Sequence, residues 1–426
     1  MPSSRARWTS SGDRSAGTVT SPRPTITGEQ RRARLGIRHH LATGHRAATV
    51  EEAAGDLVGL HATDPATVHL SAWARVHGLQ RATTERALYA DRTLIRMIGM
   101  RRTLFVEPLD LAVIVHASCA SSIGTRERRR LESWLVEAGI TDAPGHWLAG
   151  VEDATFAAIE QVGSGTASEL TKLVPDLAIQ IPVSVGKSYQ GTVGVSSRVL
   201  LLVAMDGRIA RGRPRGTWLS SQYSWEPMRR WVAMDERAAA YTEASAQTGL
   251  VERWLRAYGP GTMDDLRWWT GWTLGTVRRA LASIDTVEVA LGDGATGLAL
   301  ADDVDTSMAP SEPWIALLPS LDPTTMGWTQ RDWYLGPHRA TLFDRNGNAG
   351  PTIWVDGRVV GGWGQRPDGE VVTRLLQDVG AEASAEIQAR AAQLTTWIGG
   401  TRIMPRFPTP IQGELGDLPG TATLRE

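Results

Sequence analysis

The chain has 426 residues but only one cysteine, Cys119, and two lysines, Lys172 and Lys187. A lone cysteine excludes an internal disulfide and any cysteine-based zinc cluster. No apolar stretch marks residues 1–24, so no secretory signal is visible. The longest apolar runs, such as Val199–Ala204, are far too short to cross a bilayer. The nine histidines include no His-Glu-x-x-His helix and no ligand cluster. His61, His69 and His77 are evenly spaced, but eight residues overshoot two helical turns by about 80°, so they share no face. No metal and no cofactor are expected. What remains is a protein expected in the cytoplasm, long enough for about two to four modules.

The near-absence of lysine makes almost every basic residue an arginine, within a net charge of −1. The charge is unevenly placed. Residues 1–50 carry nine arginines against Asp13 and Glu29. Residues 205–231 carry Arg208, Arg211, Arg213, Arg215, Arg229 and Arg230 against Asp206 and Glu226. Residues 285–322 hold eight carboxylates and no basic residue. Segregation of this kind suits a protein with one face turned to a polyanion.

Residues 1–26 read as a disordered basic tail, rich in Ser, Thr, Pro and Arg. From Thr27, a helix N-cap with Gln30 three residues on, the pattern predicts helices to about Thr43, over Val50–Leu60 and from Pro65. A short helix at Thr84–Tyr89 and strands Leu94–Ile98 and Arg102–Val106 follow. Three helices and a hairpin is the order of a winged helix. It recurs around Gly165–Leu170 and Val193–Met205, with an Arg-rich strand after Asp206-Gly207. It recurs again around Gly261–Leu266 and Leu274–Ala282, the latter carrying Arg278 and Arg279. From Thr286 the pattern turns to short strands with turns at Asn346-Gly347 and Asp356-Gly357, and a final helix is expected over Glu370–Ile398. The fold class is thus α+β: tandem winged helices over residues 27–110, 111–240 and 241–295, a β-rich, barrel-like domain over 296–400, and a tail over 401–426.

Three features invite weaker readings. Gly186-Lys187-Ser188 looks like the end of a phosphate-binding loop, but Ile181 stands where the first glycine belongs. Most of the 17 tryptophans read as core filling. Trp218, Trp225 and Trp231 lie among Arg211, Arg213, Arg215, Arg229 and Arg230, a mixture suited to a nucleic-acid groove. The run Arg126–Arg130 reads equally as a basic patch or a solvated helix face.

The segment Val58-Gly59-Leu60-His61-Ala62-Thr63-Asp64-Pro65 resembles the signature of the AlkZ/YcaQ-type winged-helix DNA glycosylases of bacteria. Met100–Val106 resembles that family's Arg-x-Thr-Leu strand. Leu317–Pro323, followed by Arg331, resembles its Leu-Leu-Pro-x-Phe-Asp element. Val355–Trp363 resembles its Val-Asp-Gly-Arg-x-x-Gly-x-Trp strand pair. The resemblance runs from about Thr27 to Leu376.

It implies a monomeric, monofunctional enzyme of base-excision repair that hydrolyses the N-glycosidic bond of bulky or crosslinked N-alkylpurines in double-stranded DNA. Some members protect producers of DNA-alkylating natural products. One departure stands out: the family's catalytic glutamine pair is replaced by His61 and Thr63. A base alkylated on a ring nitrogen is cationic and leaves as a neutral group, so the catalyst mainly holds a water and stabilises a cationic sugar. Neutral His61 can accept a proton or hydrogen bond from that water, Thr63 can orient it, and Asp64 can add negative charge. Arg211, Arg213, Arg215, Arg278 and Arg279 are the expected DNA contacts. The alternative is a non-catalytic winged-helix DNA-binding protein or regulator. A regulator should dimerise, and no heptad run marks a dimerisation helix.

Overall fold

A computed structural model describes residues 23–183, 190–292, 294–304 and 312–416. Most of the basic tail, the Gly186-Lys187-Ser188 motif and the last ten residues lie outside that set.

Three units are wired alike. In the first, the helices Gly28–Arg38, Val50–Asp56, Pro65–Trp73 and Arg81–Tyr89 precede a hairpin of Leu94–Ile98 and Leu104–Pro108. Thr27, Thr49 and Asp64 cap three of these helices with side-chain oxygens, as their residue types dictate. The short strand Leu60–His61, just ahead of one helix, adds to the hairpin as a third strand beside Leu104–Pro108. The second unit repeats this with Gly165–Thr166 ahead of the helix Ala167–Leu173. That strand pairs with Tyr223–Pro227, itself hairpinned to Ile209–Pro214. In the third, Gly261 precedes the helix Met263–Thr270 and bridges Leu298 in the hairpin of Thr286–Leu291 and Thr296–Leu300. Each unit thereby ties a loop–helix junction to its own hairpin.

The chain from Ile315 builds a four-stranded antiparallel sheet in sequence order: Ile315–Leu318, Thr352–Val355, Arg358–Gln365 and Val371–Leu375. Asp356 and Gly357, both at positive φ, make the tight turn of its central hairpin. The barrel expected here does not form. The two outer strands do not pair with each other, and the sheet stays open. Instead, the helix Gly380–Ile398 packs Ile387 and Leu394 on the face holding Leu317, Ile353 and Val360. The helix Pro410–Gly416 covers the opposite face, where Ile411 joins Trp354 and Val359.

Three expectations change. The last helix begins at Gly380 rather than Glu370, because Val371–Leu375 pairs along Arg358–Gln365. The basic tail is ordered at its end: Thr25–Ile26 pairs in parallel with Ala290–Leu291, burying Ile26 fully. The 401–426 stretch contains the helix Pro410–Gly416, so it is not all tail.

An aromatic cluster joins the pieces. Trp254, Tyr258, Trp269, Trp328, Tyr334 and Trp354 lie within ring-contact distance of one another in series. Tyr258 donates to the carbonyl of Leu57 at 2.7 Å, and Trp328 donates to the carbonyl of Tyr258 at 3.2 Å. Beside it, Arg75 and Asp322, both fully buried, pair at 2.7 Å across first unit and C-terminal sheet. Asp322 also accepts from Ser71 at 2.6 Å and from the Thr324 amide at 2.9 Å. Such a pair stabilises only when its remaining polar atoms are satisfied; these bonds fill Asp322, while Arg75 Nε has no partner among the described residues. Among the described residues no helix is long and apolar enough to cross a membrane.

Candidate active site

The His61 segment starts from an abrupt reversal. Val58 and Gly59 both take positive φ, 52° and 101°, so the chain leaves one helix and enters the strand Leu60–His61 without a loop. A Cβ at Gly59 would meet Phe105 and Glu107 at about 3.3 Å, so glycine is required for space as well as conformation. His61 sits opposite Phe105 in the sheet, its ring edge-on at 5.6 Å.

His61 is 6 % exposed and lines a small cavity with Leu57, Gly59, Arg101, Phe105, Tyr258 and Met326 among its walls. The cavity is about 10 Å³, close to the space one water occupies. No base fits there. Burial pushes the imidazole pKa down to about 3, helped by Arg101 and Arg96 and opposed by Asp322. His61 is therefore neutral at physiological pH, with one N–H and one lone pair in the ring plane. A carboxamide offers the same pair of functions. The Thr63 amide approaches His61 Nδ1 at 3.5 Å, too long to fix the tautomer.

Arg101 comes from the turn between strands Leu94–Ile98 and Leu104–Pro108. Both Arg101 and Arg102 adopt positive φ, an uncommon conformation for side chains of this size. The Arg101 guanidinium lies 4.1 Å over Trp268, which seats the turn against the third unit.

Asp64 is 7 % exposed and caps the helix Pro65–Trp73, accepting from the Ala66 amide at 3.0 Å. Burial raises its pKa, while the Ala66 and Arg406 amides and the Arg406 and Arg96 guanidinium groups oppose the rise. It lines a different pocket, of about 40 Å³, with Ser320, Gln365, Arg402 and Gln412. His61 and Asp64 thus belong to one short segment but open onto separate pockets. Thr63, between them, is half-buried, and its carbonyl accepts from Arg406 at 3.2 Å.

The arginines read as DNA contacts are not equivalent. Arg213 is exposed but pairs with Glu85 at 3.1 Å, and exposed Arg215 pairs with Glu169 at 2.7 Å. Arg211 turns inward, 4.9 Å over Tyr223 and 5.2 Å over Trp225. Arg278 and Arg279 are exposed on the helix Leu274–Leu281. The three tryptophans marked for a groove are buried. Trp218 packs on His69, Trp225 enters the core of the second unit, and Trp231 donates to the Leu88 carbonyl. They fill space, and the arginines around them use them as shelves. In the Arg126–Arg130 run, Glu127 is buried and draws in Arg102, Arg130 and Arg198.

Two groups had no sequence signal. Arg96 donates to the Ala62 carbonyl at 2.6 Å from a 7 % exposed position. Glu107 is fully buried, and neither carboxylate oxygen has a hydrogen-bond partner among the described residues. Burial alone lifts its pKa to about 8. Among the described residues, His40, Glu52 and Asp56 form the one group with metal-ligand spacing. Both ring nitrogens of His40 are already engaged, with the His45 carbonyl at 2.9 Å and Asp56 at 2.8 Å.

This arrangement, a loop–helix junction bound to its own hairpin and carrying the candidate residues, lies within a segment with known relatives. The chain belongs to the AlkZ-like DNA glycosylase family, whose profile matches residues 54–397. The solved structure of Streptomyces sahachiroi DNA glycosylase AlkZ is similar to it, with a TM-score of 0.67 at 22 % identity. The match covers 87 % of this chain and 97 % of that one; at such identity it speaks for the fold. Among curated proteins no relative matches.

Proposed function

We propose that the protein is a monofunctional glycosylase that excises bulky or crosslinked N-alkylpurines from double-stranded DNA as a monomer, with its three helix–hairpin units acting as winged helices. The supporting observation is the neutral, buried His61 beside a cavity with room for one water and no room for a base. That geometry suits a reaction in which the damaged base stays outside the protein and only water is held within. His61 positions the water through its N–H and lone pair. Thr63 and Asp64 extend the polar segment, and Asp64 sets a carboxylate near the developing sugar cation. The cationic base departs neutral, so no general acid is needed.

The test is single-turnover release of free base from duplexes carrying small and bulky N7-alkylguanines. Wild-type protein should release base and leave an abasic site, and His61→Ala should release none while keeping duplex affinity. Full-rate release by His61→Ala would remove the role assigned to it. A second reading, a DNA-binding protein without excision, is favoured by the 6 % exposure of His61, which leaves little of the ring accessible. Absence of release across all adducts by the unmodified protein, with duplex binding intact, decides for it.

A further inference from the structure

Three arginines from distant parts of the chain converge beside the His61–Asp64 segment. Arg96 lies on the central hairpin of the first unit, Arg211 on that of the second, and Arg406 on the segment between the last two helices. Arg96 reaches 5.9 Å from the Tyr223 ring centroid and Arg211 4.9 Å, so both guanidinium groups lean on one phenol. Arg406 holds the Thr63 carbonyl as Arg96 holds that of Ala62. Two consecutive carbonyls of the segment are therefore each gripped by an arginine. The three cations also feel one another: Arg211 and Arg406 each depress the pKa of Arg96, and Arg406 depresses that of Arg211.

None of the three forms an ion pair with a carboxylate among the described residues, although nearly every other carboxylate in the neighbourhood is engaged. Glu85 is held by Arg213, Glu169 by Arg215, and Glu226 by Arg230 at 2.7 Å. Trp225 and Tyr223 share the strand face that Arg211 covers, so Glu226, the residue after Trp225, points the other way. Asp64 faces the cluster and its charge is felt by Arg406 and Arg96, yet it accepts only from the Ala66 and Arg406 amides and forms no ion pair with the three guanidinium groups among the described residues. The Nε atoms of Arg96 and Arg211 are buried without a hydrogen-bond partner among the described residues. Buried like charges with spare donors are costly unless an anion joins them.

We infer that Arg96, Arg211 and Arg406 form a clamp for one backbone phosphate of DNA, next to the nucleotide presented to the His61–Asp64 segment. This rests on the reading of the protein as a DNA glycosylase. A phosphodiester offers two anionic oxygens to several forked donors at once, the geometry guanidinium groups match best. Because Arg96 and Arg406 also hold Ala62 and Thr63, the bound phosphate sets the strand at a defined distance from His61. The exposed Met404 and the half-buried Phe407 flank Arg406, so the same segment brings apolar surface to the strand.

The experiment pairs Arg406→Gln, at an exposed position where folding is not at stake, with duplexes carrying one neutral methylphosphonate at successive positions around an N7-alkylguanine. Affinity is measured at several salt concentrations, independently of excision. Arg406→Gln should bind about tenfold more weakly, with the log–log salt slope reduced by about one. One methylphosphonate position should weaken wild-type binding to the same extent and weaken Arg406→Gln no further. Additive losses at every position, or unchanged affinity, would overturn the clamp. If the coupling holds while no base is ever released, the clamp stands and the glycosylase reading falls. If base is released but the coupling is absent, the clamp alone falls.

Discussion

Glu107 provides the sharpest physical test of this structure. Its carboxyl is fully buried, both oxygens lack partners among the described residues, and burial holds its pKa at about 8 against an ordinary 4.5. Because the folded pKa is raised, the group contributes its full stability below pH 4.5. That stability is lost as pH rises toward 8, where the folded protein must either keep the proton or bury a charge. At about 1.4 kcal/mol per pH unit, the loss reaches about 3 kcal/mol at pH 7 and about 5 kcal/mol above pH 8. Glu107→Gln replaces the protonated acid with a neutral group of the same shape. The variant should match the wild type within about 1 kcal/mol at pH 5, since both then bury a neutral, unpartnered group. It should be more stable by about 3 kcal/mol at pH 7. Urea denaturation from pH 5 to 8 measures this directly, the wild-type midpoint falling while that of the variant stays level. Parallel curves for the two proteins would show that Glu107 has a partner or reaches water, and the reasoning would fail.

His61 is neutral down to about pH 3, so base release should show no inflection near pH 6.5 between pH 5 and 8; a titration there would mean the ring is solvated when DNA is bound. Asp64→Asn keeps a helix-capping oxygen, so stability should change little while single-turnover release slows tenfold to a thousandfold, about 1.4 to 4 kcal/mol of barrier. An unchanged rate would assign Asp64 to capping alone. Asp322→Asn leaves Arg75 buried and uncompensated and should cost about 3–5 kcal/mol in chemical denaturation. Replacing both residues by apolar ones of similar volume should recover much of it, and equal losses in the single and double variants would contradict the ion-pair account.

Local chemistry made much of the fold legible in the sequence. The capping residues Thr27 and Thr49, the Asp356-Gly357 turn and the hairpin of Leu94–Ile98 lie where residue types alone place them, because each depends on neighbours a few positions away. Val371–Leu375 forms a strand although Val372, Leu375, Leu376 and Val379 also satisfy a helical period, because pairing with Arg358–Gln365 outweighs it. The His61–Asp64 segment was legible through its resemblance, yet its opening onto two separate pockets was not. Arg96, Arg406 and Glu107 left no trace in any motif, since their meaning arises from groups hundreds of residues away or from the absence of a partner. Trp218, Trp225 and Trp231 show the converse: proximity to arginine in sequence said nothing about which way their rings turn.

Arg406 grips the carbonyl of Thr63 across 343 positions of chain, and Arg38 and Arg34 reach Asp303 across 265 and 269. During synthesis the first unit can collapse around its own hairpin within seconds of emerging. The Arg406 contact beside Asp64 and the parallel strand at Thr25–Ile26 must wait for partners made far later. For most of its time on the ribosome the nascent protein holds its His61–Asp64 segment without the arginine that bridges it. A chain lacking residue 406 would keep His61, Thr63 and Asp64 but leave the Thr63 carbonyl without its arginine. Without the helix Pro410–Gly416 the sheet face holding Trp354 and Val359 would also lie open, so one late segment completes both the sheet and the wall of the Asp64 pocket.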